Sequence, residues 1–144
     1  MVVYFCGSIA GGRAYLQTYV EMVRYIQSLG HTVPTEHIIA PNVLDLERKL
    51  TPQQIYERDV RWLRSADAVI AEISNPSLGV GYEIAFALEQ DKPVLALHER
   101  GLFISCMITG NPDPRLHVRD YHDQAEWQKL IDDFAGRFEK KVSP

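Results

Sequence analysis

Ala71-Glu72-Ile73-Ser74-Asn75-Pro76-Ser77-Leu78-Gly79-Val80-Gly81-Tyr82-Glu83-Ile84-Ala85-Phe86-Ala87-Leu88 runs from the end of an apolar strand, through a Ser/Asn/Pro/Gly loop, into an apolar helix. In an open parallel sheet a strand-to-helix loop of this kind lies at the carboxyl edge, where ligands bind. The helix start offers free backbone N–H groups and a partial positive charge to an anion. Glu83 falls within the first turns, where the same dipole favours its ionised form. A lone Glu at that place most often does no more than complement the dipole.

The same alternation extends in both directions. Upstream, Val2-Val3-Tyr4-Phe5-Cys6 is an apolar run ending at Gly7, which suits a buried first strand. The loop Gly7-Ser8-Ile9-Ala10-Gly11-Gly12-Arg13 follows; it is neither G-x-G-x-x-G nor a Walker A loop, though its small residues suit close approach to a phosphate or sugar. Leu16, Val20, Val23 and Ile26 predict a helix over 14–29, stopped by Gly30. Residues 31–37 are β-rich, but Pro34 allows at most an edge strand there. Residues 38–50 predict irregular chain or a short helical turn. Thr51-Pro52-Gln53-Gln54 is a capped helix start, with Pro at the first helical position.

Downstream, residues 92–98 and 116–121 read as strands. The segment 102–108 is an apolar helix interrupted only by Ser105, suited to the core or to a subunit contact. Asp123-Gln124-Ala125-Glu126 resembles a capping box opening a last helix, with Trp127, Leu130, Ile131, Phe134 and Phe138 inward. The order β-α repeated five times predicts an α/β fold: a single Rossmann-like (flavodoxin-like) domain over 1–144, with a five-stranded parallel sheet and helices on both faces. With strand order 2-1-3-4-5, the Gly7 loop and the Ser74 to Glu83 loop line one crevice.

Composition limits the function. The 144 residues are 46% apolar and 24% charged, as in soluble globular domains. Fifteen Lys and Arg against 19 Asp and Glu give a net charge of −4, which argues against a general nucleic-acid binder. No run of eighteen apolar residues and no charged leader occurs, so neither a membrane span nor export is expected, and the location expected is cytoplasmic. Cys6 and Cys106 have no metal spacing, and Cys6 reads as a core thiol. The five histidines lack H-x-x-x-H spacing, so no metal and no cofactor is expected.

One residue breaks the helical pattern. On the helix opened by Thr51, Ile55, Trp62, Leu63 and Ala66 form the apolar stripe, and Asp59 sits in its middle. A carboxylate on a core-facing stripe is costly unless it is paired or faces a pocket. The predicted crevice therefore gathers Tyr4, Ser8, Arg13, Asp59, Ser77, Gly79, Gly81 and Glu83. Two carboxylates without metal ligands suit acid/base or covalent chemistry on a glycosidic bond, and hydroxyls with backbone amides suit a phosphate.

The segments Tyr4 to Arg13, Thr35-Glu36-His37, Asp59-Val60-Arg61-Trp62-Leu63 and Pro76 to Glu83 resemble, in order, the 2′-deoxynucleoside 5′-monophosphate N-hydrolases of the nucleoside 2-deoxyribosyltransferase superfamily. The resemblance implies Glu83 as nucleophile at the anomeric carbon, Asp59 as its assistant and Tyr4 as the residue placing Glu83. It implies Ser8, Ile9, Arg13, Ser77 and Gly79 as substrate contacts and His37 near the base. It also implies a homodimer in which Ser105 reaches the partner's phosphate site. Family members read Gly-Ser-Ile-Arg-Gly-Gly-Arg in the first loop; Ala10 replaces the first Arg and removes a charge-assisted phosphate contact. Base exchange by a deoxyribosyltransferase and cleavage of ribonucleotides are the neighbouring alternatives. A non-catalytic nucleotide-binding module is a third, although a pure binder needs no nucleophile.

Overall fold

A computed structural model of the chain describes residues 1–142. Four strands form one parallel sheet in the order β1-β2-β3-β4: β1 Val3–Cys6, β2 Ala68–Glu72, β3 Val94–Glu99 and β4 Leu116–Tyr121. The helices are α1 Leu16–Ser28, α2 Val43–Glu47, α3 Pro52–Ser65, α4 Leu78–Glu89, α5 Cys106–Thr109 and α6 Gln124–Val142, with a 3-10 turn at Glu36–Ile39.

The fifth strand expected over 31–37 does not form. Only Thr32 bridges Val2, in parallel, so the expected place beside β1 is kept by a single residue. Val3 N–H donates to the Thr32 carbonyl at 2.8 Å, and Pro34 then interrupts the run. Beyond it the buried Thr35 side chain does what a strand backbone would have done. Its hydroxyl accepts from Phe5 N–H at 3.1 Å and donates to Phe5 C=O at 2.6 Å. Edge pairing is thus completed by a side chain, and the backbone is released into the 3-10 turn that carries His37.

Alternation along the strands sorts side chains between two cores. Val3, Phe5, Ala68, Ile70, Leu95 and Leu97 pack with Tyr19, Met22 and Ile26 of α1 and Trp127, Ile131 and Phe134 of α6. Tyr4, Cys6, Val69, Ala71, Val94 and Ala96 face the other way, against Leu63 of α3 and Ile84 and Ala87 of α4. Tyr4 and Cys6 therefore point at the two helices that carry Asp59 and Glu83.

Local chemistry sets the helix ends. Thr51 and Gln54 form the reciprocal capping box at the start of α3, and Gly30 (φ 86°) ends α1 in the left-handed region. At α6 only half of the expected box is made: Asp123 accepts from Glu126 N–H, but the Glu126 carboxylate takes the His122 N–H instead. The apolar helix expected over 102–108 shrinks to α5, because Ser105 acts as its N-cap. Phe103 (87% exposed) and Met107 (83%) stand in solvent, while Ile104 and Ile108 pack against the core that holds Leu63 and Ile84, so the segment is core on one side and free on the other.

Candidate active site

Glu83 lies on the second turn of α4, half-buried against β1. Tyr4 Oη donates to Glu83 Oε1 at 2.6 Å, and the Cys6 thiol donates to the same carboxyl. Burial pushes the Glu83 carboxyl up to about 7; the Tyr4 hydrogen bond opposes this, and the nearby Asp59 charge adds to it. Burial also drives the Tyr4 hydroxyl and the Cys6 thiol well above their ordinary ranges, with the Glu83 charge as the next cause. Both keep their protons at neutral pH and act only as donors toward Glu83. A carboxylate held ready by two donors, near neutrality, is suited to nucleophilic or proton-transfer work.

Asp59 comes from α3 to the same place, close enough to perturb Glu83, Tyr4 and Cys6. Its Oδ1 accepts from Arg58 Nε at 2.8 Å. Arg58 Nη2 donates to Glu47 Oε1 at 2.9 Å, and the Glu47 oxygen is also 3.1 Å from His37 Nε2. His37 is held below its ordinary range, first by burial and then by the Arg58 charge, so a neutral ring donates from Nε2 to Glu47. The His37 ring centre lies 5.6 Å from that of Trp62.

The two loops meet as expected from the strand order. Asn75 Nδ2 donates to the carbonyls of Gly11 (3.2 Å) and Gly12 (3.3 Å). A Cβ on Gly11 would stand 2.5 Å from Ser8 Oγ and 3.0 Å from the Pro76 carbonyl, so the loops close only around a glycine there. Ser8 is fully buried, yet its Oγ has no hydrogen-bond partner, an uncommon state for a buried hydroxyl. Ser77 caps α4 by accepting from Val80 N–H. The first intrahelical bond is made by Gly81 to Ser77 C=O, so the N–H groups of Leu78 and Gly79 have no helical partner. A Cβ at Gly79 would meet only ordinary contact and one at Gly81 open space, so neither glycine is demanded by the protein's own packing.

Three expected site residues are placed differently from the rest. Arg13 turns back onto the protein: its Nη2 donates to the Ile38 carbonyl and Nη1 to that of Ser8 (3.4 Å), bracing the first loop against the 3-10 turn. Ile9 is half-buried on the α1/α6 core. Ser105 lines a cavity of about 560 Å³ together with Ser77, Leu78, Phe103 and Met107; Tyr4, Asp59 and Glu83 are not on its wall.

Sequence reading missed four contributors. Cys6 was legible in principle, because a strand places it on the same face as Tyr4. Glu72 ends an apolar strand and is 0% exposed, accepting from the Ser74 hydroxyl and from Tyr121 Oη at 3.0 Å; it anchors the base of the Ser74–Ser77 loop. A Glu closing an apolar run was its signal. Glu47 and Arg58 carried none, since the contact that joins them links separate segments. Among the described residues no cluster of three or more His, Cys, Asp or Glu could hold a metal, and no helix is long and apolar enough to cross a membrane.

The family model for nucleoside 2-deoxyribosyltransferase matches residues 3–122. A Tetraodon nigroviridis protein named 5-hydroxymethyl-dUMP N-hydrolase is 44% identical over 140 residues, covering 93% of this chain and 96% of the relative. A Methanosarcina mazei protein bearing a 2′-deoxynucleoside 5′-phosphate N-hydrolase name is 42% identical over 132 residues, covering 92% and 82%. A Clostridium botulinum CMP N-glycosidase structure shares the fold with a TM-score of 0.67, at 18% identity, over 92% of this chain and 99% of that one. The matched region contains both strand-to-helix loops and all three residues gathered at Glu83, and the chain belongs to the nucleoside 2-deoxyribosyltransferase family.

Proposed function

We propose that this protein is an N-glycosidase that hydrolyses 2′-deoxynucleoside 5′-monophosphates to the free base and 2-deoxyribose 5-phosphate. The observation that carries the reading is the 2.6 Å hydrogen bond from Tyr4 to a half-buried Glu83, beside Asp59. The names borne by relatives at about 40% identity support the same reaction class.

Glu83 Oε attacks the anomeric carbon, and the C–N bond breaks with its electron pair leaving on the base. Asp59 assists departure by orienting the sugar or by passing a proton to the base. Water then attacks the same carbon, its proton is taken up by a site carboxylate, and the Glu83 ester is released. Two displacements at one carbon retain configuration. The Ser8 hydroxyl, the Ser77 hydroxyl and the N–H groups at the start of α4 form the phosphate-binding set, a local concentration of donors that suits a dianion without a basic side chain. Arg13 contributes by holding the Ser8 loop in shape.

The proposed assembly is a homodimer. Leu78 (96% exposed), Phe103 and Met107 present apolar surface around one cavity, which suits coverage by a second copy. Ser105 stands at that surface with its Oγ accepting from Met107 N–H at 3.3 Å, leaving its proton free to donate across to the partner's phosphate site.

The test is base release from dGMP, deoxyguanosine and GMP side by side, with and without a free acceptor base. Release from the deoxynucleotide alone, indifferent to acceptor, supports the hydrolase. Exchange onto the acceptor makes the protein a transferase, and preference for GMP overturns the deoxy selectivity.

A further inference from the structure

Arg58 takes no part in the chemistry above, yet it is built into the site. Successive residues on a helix do not face each other, so a contact between Arg58 and Asp59 is not automatic. Here the Arg58 side chain is held across the helix by two fixed supports. Its guanidinium lies over the Trp62 ring, 4.9 Å from the centroid, and Nη2 is anchored by Glu47 of α2. From that position Nε meets Asp59 Oδ1, with the Arg58, Glu47 and Asp59 side chains 17%, 14% and 23% exposed. Among the described residues Asp59 Oδ2 has no hydrogen-bond partner, so one oxygen is pinned and the other is left to the crevice.

We propose that Arg58, anchored by Glu47 and Trp62, is a positioning residue that fixes the Asp59 carboxylate in its working rotamer. The inference rests on the role given to Asp59 above. A planar guanidinium spans two carboxylates in fixed geometry, which a lysine ammonium cannot reproduce. Through Glu47 the same guanidinium joins α2 and His37 to Asp59, so the segment expected to be irregular or a short helical turn becomes part of the catalytic frame.

The test is a double-mutant cycle between Arg58→Met and Asp59→Asn, read as kcat and KM for base release from a deoxynucleotide the wild type cleaves. Methionine keeps an apolar stem on Trp62 and removes both hydrogen bonds. Arg58→Met is expected to lower kcat about 10- to 100-fold with KM within about threefold, and to change kcat less than about twofold in the Asp59→Asn background. Arg58→Lys is expected to recover little. If Arg58→Met does not fold, Glu47→Gln loosens the same anchor and is expected to act in the same direction, again only when Asp59 is present. Equal proportional losses in both backgrounds, or full activity in Arg58→Lys, would overturn the proposal. A low Asp59→Asn rate beside a wild-type Arg58→Met rate would overturn it alone, whereas wild-type activity in Asp59→Asn would remove the role of Asp59 as well.

Discussion

Tyr4 and Glu83, 79 positions apart, share a hydrogen bond of 2.6 Å in which the phenol donates and the carboxyl accepts. Burial of both groups makes that bond the main influence keeping Glu83 ionisable near neutrality. Because the nucleophile must be ionised, activity should rise with pH through about 7. Tyr4→Phe removes a donor that lowers the Glu83 pKa, so the acid limb of the kcat profile should move to higher pH. At pH 7 kcat should fall by about 10- to 100-fold while the fold is kept. A pH–rate profile for both proteins checks this, and an unmoved acid limb would separate Tyr4 from Glu83.

Ser8→Ala offers the reverse of an ordinary buried-polar substitution. Its Oγ has no protein partner, so losing it breaks no hydrogen bond, and Tm should stay level or rise slightly. If the hydroxyl serves the phosphate, KM for a 5′-monophosphate should rise roughly tenfold while the rate on the unphosphorylated nucleoside is unchanged. Thermal melts and kinetics on both substrates decide it.

Glu72 is a stability element with a calculable sign. Its folded pKa, raised from 4.5 to about 7 by burial, means that the folded state holds a proton the unfolded chain gives up between those values. Stability from this group is therefore lost as pH rises from about 4.5 through about 7. Glu72→Gln should flatten the fall of Tm across that window; Glu83 contributes a slope of the same sign and will leave a residue of it. Glu72→Ala should cost about 1–3 kcal/mol at low pH, because the Ser74 and Tyr121 hydroxyls lose their acceptor, and less as pH rises through about 7.

Elements defined by local chemistry were legible in the sequence, and those defined by distant partners were not. Thr51-Pro52-Gln53-Gln54 named its own helix start, and the mismatch of Asp59 with its apolar stripe marked it for attention. Over 31–37 the limit set by Pro34 was legible, but the substitute was not: Thr35 meets both backbone groups of Phe5 with one hydroxyl, an outcome no propensity encodes. Cys6 read as core and is core; its place on the Tyr4 face of β1 was legible, but its contact with Glu83 depends on the packing of α4. Glu47 lay in a stretch without periodicity, and its value comes from Arg58 and His37 converging on one oxygen.

The proposed dimer is testable through the exposed apolar surface. Phe103→Asp places a charge where a second copy would pack and leaves the folded core untouched, since Phe103 is 87% exposed. Sedimentation velocity should show a shift from dimer to monomer, with activity falling alongside. A mixture of Ser105→Ala and Glu83→Gln chains should regain part of the activity only if Ser105 is delivered across the interface.

The most direct measurement is base release by Glu83→Gln beside wild type, with nucleotide binding followed by calorimetry on the same preparations. The amide keeps the shape and the Tyr4 hydrogen bond but cannot act as a carboxylate nucleophile. Nucleotide binding should stay within about threefold of wild type while kcat falls by about three orders of magnitude or more. Turnover near the wild-type rate in Glu83→Gln would contradict this and leave the crevice without its nucleophile.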